Sequence, residues 1–209
     1  MRTPIGDLTS AARIREAALR LFAERGPDAV TVRQVAAAAG VSPALVIRSY
    51  GSKDGLRDAV DGHVAAIFEA MLAQLTRVPD GPFSPAALPT LADSVSRHLP
   101  EGSAVPGYIG RMLMAGGPAA AALFRRLHQA SLGALAAMAE SGQASAGADP
   151  PVRAAFLLAN DLAVLMLRER LADVLGTDPL SGAGLRRWGA EVTAVYQGGL
   201  AATPGQPAR

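Results

Sequence analysis

Residues 31–53, TVRQVAAAAGVSPALVIRSYGSK, decide the reading of this chain. They carry two short helical patterns joined by a tight turn. Thr31 has the character of an N-cap, and Gln34 three residues later completes a capping box. Val32, Val35, Ala36 and Ala39 recur on one helical face. Gly40 follows the last of them, where a helix closing in a left-handed residue favours glycine. Ser42 is a second N-cap, and Pro43 takes the first helical position, where its missing N–H costs nothing. In the second helix Val46 and Tyr50 stand four apart and point inward, leaving Leu45, Arg48 and Ser49 outward. This is the plan of a helix-turn-helix, whose second helix enters the major groove of DNA. Pro43 to Tyr50 is therefore the candidate reading rod.

The flanks fit a head built on that motif. From Ser10 onward Ile14, Ala17, Ala18, Leu21 and Phe22 keep helical spacing, and Gly26-Pro27 stops the helix; residues 1–9 read as a flexible arm. Arg13, Arg15, Arg20 and Arg25 lie off the apolar stripe, as a solvated face or, for Arg13 and Arg15, as phosphate contacts. After the motif, Ser52 caps a fourth helix and Asp54 suits its positive first turn. Leu56, Val60, Val64, Ile67, Phe68, Met71 and Leu75 carry that helix to about residue 76. At about 1.5 Å per residue it is long enough to join a small head to a separate body. Residues 79–85 read as a loop. Further helices are expected over about 85–98, 104–114, 118–140, 150–175 and 181–200, and 203–209 as a disordered tail. No stretch alternates as a strand does. The prediction is an all-α chain of about nine helices, with a three-helix head over 10–57 and a helical body over 58–202.

Composition bounds the possibilities. Half of the 209 residues are hydrophobic, enough for a sizeable core, and mean hydropathy is +0.22. The net charge of +2 is unevenly spread: residues 1–60 carry nine cationic and six acidic side chains, the remainder eleven and twelve. A positive end on a near-neutral body suits a DNA-reading module attached to something else. The chain has no cysteine, which excludes disulfides and thiol chemistry. No signal-like segment opens it, so a cytoplasmic protein is expected. His63, His98 and His128 lack ligand-like spacing, and no nucleotide loop, metal triad or nucleophile–base pair is present, so neither metal, cofactor nor enzymatic activity is expected.

Two late segments stand out. Residues 154–175 are apolar almost all round, which implies burial on two sides. Leu185, Trp188, Val192 and Val195 repeat at helical spacing with Tyr196 beside them. Ordinary packing within the chain would explain both. So would a homodimer in which these last two helices pair with their copies as a four-helix bundle, and the paired half-sites of helix-turn-helix proteins favour that arrangement.

The stretch ARIREAALRLFAERGPDAVTVRQVAAAAGVSPALVIRSYGSKDGL, residues 12–56, resembles the TetR/AcrR family of bacterial regulators. The correspondence lies in Leu21-Phe22, Gly26, Thr31, Ala36, Ala39-Gly40-Val41-Ser42, and the closing Tyr50, Ser52 and Lys53. The resemblance implies an all-helical homodimer with N-terminal DNA heads and a C-terminal body that binds a small-molecule effector. It places Lys53 at a phosphate-contacting lysine, Thr31 and Ser42 at cap positions near the DNA backbone, and Arg33 at a base-reading position. Ala44, Leu45, Arg48 and Ser49 match the exposed face of the recognition helix. The chain departs from the family pattern at Leu45, Ile47 and Ser49. Ile47 cannot donate to a phosphate as the usual tyrosine does, whereas Leu45 and Ile47 are suited to thymine methyl groups. Arg48 has the reach for a guanine edge. With Pro43 and Tyr50, these residues make up the candidate DNA-binding set.

Phe68, Leu91, Tyr108, Met112, Phe124, His128, Asn160 and Met166 are the candidate effector-binding residues of the middle helices. Asn160-Asp161 is the most pointed feature, since polar groups in the most apolar helix need partners. They could serve an effector, the dimer or solvent. The leading expectation is a repressor released from a pseudo-palindromic operator by a small, largely apolar effector. A ligand-responsive activator is the alternative. A helical enzyme and a module whose head binds protein instead of DNA are weaker readings.

Overall fold

The computed structural model describes residues 5–78, 87–100 and 102–198, with side chains described throughout these except at 5–9, 75, 87–92, 197 and 198. Among them are ten α-helices and no strand. In chain order they are α1 (Ile5–Arg25), α2 (Val32–Ala39), α3 (Pro43–Tyr50), α4 (Lys53–Leu75), α5 (Ala87–His98), α6 (Val105–Ala115), α7 (Gly117–Glu140), α8 (Pro150–Met166), α9 (Arg168–Leu175) and α10 (Gly182–Gly198).

The local chemistry of the motif operates as its residues dictate. Thr31 has extended φ/ψ and its hydroxyl accepts from the Gln34 N–H at 3.3 Å, while the Thr31 N–H donates to Gln34 Oε1 at 2.8 Å. Gly40 closes α2 at φ 64°, a left-handed geometry that costs glycine nothing, and Ser42 Oγ accepts from the Leu45 N–H at 3.2 Å to open α3. Ser52 repeats the device for α4, accepting from Gly55 N–H at 3.0 Å.

One apolar core runs from the head into the body. Ile14, Leu19 and Phe22 of α1, Val35 of α2, Val46 of α3 and Leu56, Val60 and Val64 of α4 belong to the same buried cluster as Ile109 of α6, Leu127 of α7 and Leu158 of α8. Within the body α4 packs on α5 and α7, α8 lies against α6 and α7, and α10 packs on α5. The helix α1 touches α2, α3 and α4 in the head but also α6. The boundary expected at 57/58 therefore falls inside one helix.

Two expectations are corrected. Residues 5–9, read as a flexible arm, are the first turns of α1; residues 1–4 lie outside the described residues, as do 79–86 and the tail. The helix expected over 150–175 is two, α8 and α9, bent by 74° at Leu167. Neither glycine nor proline marks that break. A tertiary pair holds it: Arg168, the first residue of α9, donates from Nε to Asp178 Oδ1 at 2.9 Å and from its second nitrogen to Oδ2. Asp178 also accepts from Leu180 N–H, and the arginine beside it keeps its carboxyl below the usual carboxylate range. No single described helix is long and apolar enough to cross a membrane.

Candidate functional site

The candidate DNA-facing residues separate into two groups. Thr31, Arg33, Ser42, Pro43, Ala44, Arg48 and Ser49 are exposed, and Ile47 joins them at 43% exposure. Leu45 and Tyr50 do not belong with them. Leu45, expected outward, is half-buried and packs against the core. Tyr50 is half-buried, and its hydroxyl donates to the carbonyl of Ala11 in α1 at 2.7 Å, with burial raising its pKa. Val46, between them, is fully buried. Three of the eight α3 side chains thus pin the helix to α1 and the core. Burying a Val or Leu contributes about 1.5–3 kcal/mol each, so this attachment is enough to hold a two-turn helix that would not persist alone.

The basic residues are distributed differently from their sequence order. Lys53 is half-buried, its Nζ donating to the carbonyl of Asp28 at 3.3 Å, which ties the start of α4 to the turn before α2. Arg13 reaches the carbonyl of Gly40 at 3.5 Å, bracing the turn between α2 and α3. Arg15, a candidate phosphate contact, is half-buried near Tyr50 and His63 instead.

Where α1, α4 and α6 meet lies a polar junction that the sequence did not reveal. Tyr108 is fully buried; its hydroxyl donates to Asp61 Oδ1 of α4 at 2.6 Å, and its ring sits 6.5 Å from that of Phe22. Burial and the Asp61 carboxylate push the Tyr108 hydroxyl far above its ordinary pKa, and burial raises that of Asp61. One turn along α6, Arg111 donates from Nε to the carbonyl of Ala23 at 2.8 Å and from a terminal nitrogen to that of Glu24 at 2.9 Å. These are unpaired carbonyls at the negative end of α1, where a guanidinium is favoured. Arg111 is the one charged residue of α6, a signal that was present in the sequence.

Between α4, α5, α6, α8 and α10 lies a partly open cavity of about 140 Å³, lined by Val64, Ile67, Phe68, Met71, Val95, Leu99, Ile109, Leu165, Leu185 and Trp188 among others. Among the described residues its single charged lining residue is Asp161. Of the seven candidate effector residues whose side chains are described, only Phe68 lines this space. Tyr108 is committed to Asp61, Met112 is buried in the core, and the side chain of Leu91 lies outside the described residues. His128 Nε2 donates to the carbonyl of Pro151 at 2.9 Å. Phe124 and Met166 line a separate, shallower apolar groove between α7 and α8. Asn160 is exposed, its amide donating to the Phe156 carbonyl one turn back.

Helical phase explains why Asp161 and not Asn160 lines the cavity. Ala154 and Leu158, seven and three residues before Asp161, are both fully buried, so Asp161 lies on the inward flank of α8. Asp161 lines the cavity and is at the same time exposed, and the protein packed around its carboxyl raises its pKa. Tyr196 of α10 stands close enough for the Asp161 charge to raise its own pKa. The opposite face of α8 carries an exposed apolar stripe of Val152, Phe156, Ala159, Ala163 and Leu167. Among the described residues no three His, Asp or Glu side chains converge as a metal site requires.

Residues 14–60 match the model of bacterial regulatory proteins of the tetR family, and residues 102–199 that of the tetracyclin repressor-like C-terminal domain. The HTH-type transcriptional regulatory protein RaaS of Mycobacterium tuberculosis is 34% identical over 151 residues, covering 72% of this chain and 67% of that protein. An HTH-type transcriptional repressor of the same organism is 42% identical over 71 residues, covering 34% of this chain and 38% of the relative. Among solved structures, the fatty acid degradation regulator FadR from Bacillus halodurans superposes with a TM-score of 0.67 at 14% identity, over 96% of this chain and 98% of that one. A complex of SmeT with triclosan superposes with a TM-score of 0.58 at 20% identity, over 96% and 99%. At these identities the two structures speak for the fold alone.

Proposed function

The chain belongs to the tetR family of bacterial regulatory proteins and is a transcriptional regulator, not an enzyme; from that premise we propose that it is a homodimeric repressor, released from a pseudo-palindromic operator by a small effector held in the body cavity. The observation that carries the DNA-reading part is the division of α3. Leu45, Val46 and Tyr50 anchor the helix, and Pro43, Ala44, Ile47, Arg48 and Ser49 stand together on its open side with Arg33 of α2 beside them. Arg48 and Arg33 read base edges in this proposal, and Ile47 packs on thymine methyl groups. Thr31, Ser42 and Lys53 sit along the phosphates, with the positive end of α4 contributing there. The repressor assignment draws on the name of the relative matched through the head.

Selection of duplexes from a random library, followed by fluorescence anisotropy, tests this reading. Half-site centres about one helical turn or a multiple apart are expected, with affinity falling steeply as salt rises. Arg48→Ala should weaken the selected site by about tenfold and relax preference at one base pair per half-site, within the roughly 1–3 kcal/mol that such contacts discriminate. Binding that is indifferent to sequence and to salt would sink the proposal. In vitro transcription from a promoter carrying the site separates repressor from activator by the sign of the change.

In this reading the two protomers pair through the exposed stripe of α8; a contiguous apolar face of this kind marks an interaction surface. In this reading, too, the cavity takes the effector because it is mostly apolar and bounded by α4 and α6, two helices that also touch the head. Arg111 ties the body to α1 in this scheme. Arg111→Ala should destabilise that attachment by roughly 1.5–3 kcal/mol, the range for hydrogen bonds from a charged donor. Hydrogen exchange should speed up at amides near residues 22–30 while the cavity helices keep their protection. Unchanged exchange near Gly26 would remove Arg111 from the coupling route.

A further inference from the structure

Resting on the reading of the α8 stripe as the face on which two protomers pair, we infer that the two α8 helices run antiparallel about an axis beside Asn160, and that the Phe156 ring of each protomer fills the apolar groove between α7 and α8 of the other. The stripe alone is too small for a stable dimer. From Val152 to Leu167 it runs about 22 Å at 1.5 Å per residue, and it is one helix wide, about 10–12 Å. That is roughly 250 Å², against about 800 Å² contributed by each partner of a stable complex. The remainder must come from apolar surface continuous with the stripe. The groove between α7 and α8 meets that condition, since Ala159, Ala163 and Leu167 belong to both. Its floor is the buried Leu162, its far wall is Ala120 and Ala121 of α7, and Phe124 stands exposed at its rim.

Bulge and depression occur on the same helix at a matching interval. Phe156 is the largest side chain of the stripe and stands exposed. Two helical turns on, Ala163 marks the depression, about 10.5 Å away along the axis. A two-fold axis makes every contact twice, so that a ring seated at 163 of one protomer implies the reverse contact as well. An antiparallel pairing centred between 159 and 160 seats both rings at once. A parallel pairing would set Phe156 against its own copy and the two depressions against each other, a clash beside a void. Asn160 marks the axis. It shares a face with Phe156 and Ala163, four and three residues away. Its amide donates one N–H to the Phe156 carbonyl at 3.1 Å; among the described residues its second N–H and its Oδ1 have no protein partner, and the side chain is open to water. Covered by a second protomer, these groups need partners. At a two-fold axis the same amide from the other protomer offers an acceptor to the donor and a donor to the acceptor. A buried asparagine fixes register in coiled coils in the same manner.

The chain has no cysteine, so any disulfide belongs to an introduced residue. Asn160→Cys, Val152→Cys and Leu167→Cys are each oxidised with copper phenanthroline in the full-length protein and run on non-reducing gels. Asn160→Cys should cross-link, its copy standing within the roughly 7 Å between Cα atoms that a disulfide spans. Val152→Cys and Leu167→Cys should not, each lying about 22 Å along the helix from its copy. Sedimentation equilibrium tests the fit of ring to groove. Phe156→Ala should weaken the dimer roughly thirtyfold, as loss of a buried aromatic anchor does. Ala163→Phe should weaken it too, by blocking the groove. The double variant, with ring and depression exchanged, should return to within about threefold of wild type. Both positions are exposed in the single chain, so helicity should be unchanged. Cross-linking at 152 or 167, or none at 160 in a dimer that Phe156→Arg dissociates, overturns the antiparallel register while leaving the stripe as the interface. A double variant no tighter than the single ones overturns the filling of the groove. A monomeric wild type, or a dimer that Phe156→Arg leaves intact, takes down the stripe reading and this inference with it.

Discussion

A methyl group placed on Gly55 is expected to cost the protein its operator binding. A Cβ built there would lie 2.1 Å from the carbonyl oxygen of Tyr50 and 3.4 Å from its carbonyl carbon. The obstacle is backbone, so no side chain can rotate out of the way. That carbonyl is further fixed because it accepts from Ser52 N–H at 2.9 Å, and because the Tyr50 side chain is tied to Ala11. Relief requires moving the turn between α3 and α4, and α3 with it. Overpacking of a closed site costs about 1–3 kcal/mol, and the recognition rod is what moves. Urea unfolding should show the loss of stability, and anisotropy with a selected duplex should show more than a tenfold loss of affinity. Gly62→Ala on the same helix is the control. Its Cβ would meet only Arg126 Nη1 at 3.5 Å, an ordinary contact, and replacing a helical glycine by alanine gains about 0.5–1 kcal/mol. Wild-type affinity in Gly55→Ala would show that the α3–α4 turn yields more easily than its hydrogen bonds imply.

Phe156→Arg is expected to separate the two protomers. Phe156 is 59% exposed in the single chain, at the centre of the stripe from Val152 to Leu167, so a charge there leaves the protomer's own core untouched. At a two-fold interface each substitution appears twice, and two guanidiniums would be buried without partners. Sedimentation should give a monomer with unchanged helicity. Linking two binding modules raises avidity by about 10²–10⁴-fold over either alone, and the operator affinity should fall by a comparable factor. A dimer that persists in Phe156→Arg would move the interface off this face of α8.

The contrast between what residue order disclosed and what it concealed has a physical cause. The helix-turn-helix was legible because its determinants are local. Thr31 with Gln34, Gly40, Ser42 with Pro43, and Ser52 act within four residues of where they stand, so no knowledge of the remaining fold was required. Leu45 was misplaced because α3 is only two turns long, and α1 and α2 press on it from more than one side. The bend at Leu167 was hidden because Arg168 beside it is held by Asp178, ten residues further on. The pairing of Tyr108 with Asp61 spans 47 positions, and the grip of Arg111 on Ala23 spans 88. No periodicity carries such information. Asn160-Asp161 is an intermediate case: the pair stood out as polar in an apolar helix, yet which of the two lines the cavity depended on where α4, α5 and α10 come to rest.

The helix α4 can also be viewed as a lever. Its fulcrum is Asp61, clasped by Tyr108. One arm runs eight residues to Lys53 at the head, about 12 Å at 1.5 Å per residue, and the other ten residues to Met71 at the cavity wall, about 15 Å. Tilting about that point sends the head in the direction opposite to the displaced wall, at roughly four-fifths of its amplitude. If the cavity holds the effector as proposed, a ligand that spreads it by an ångström would swing α3 by nearly as much, with no hinge in the chain and no unwinding of the rod.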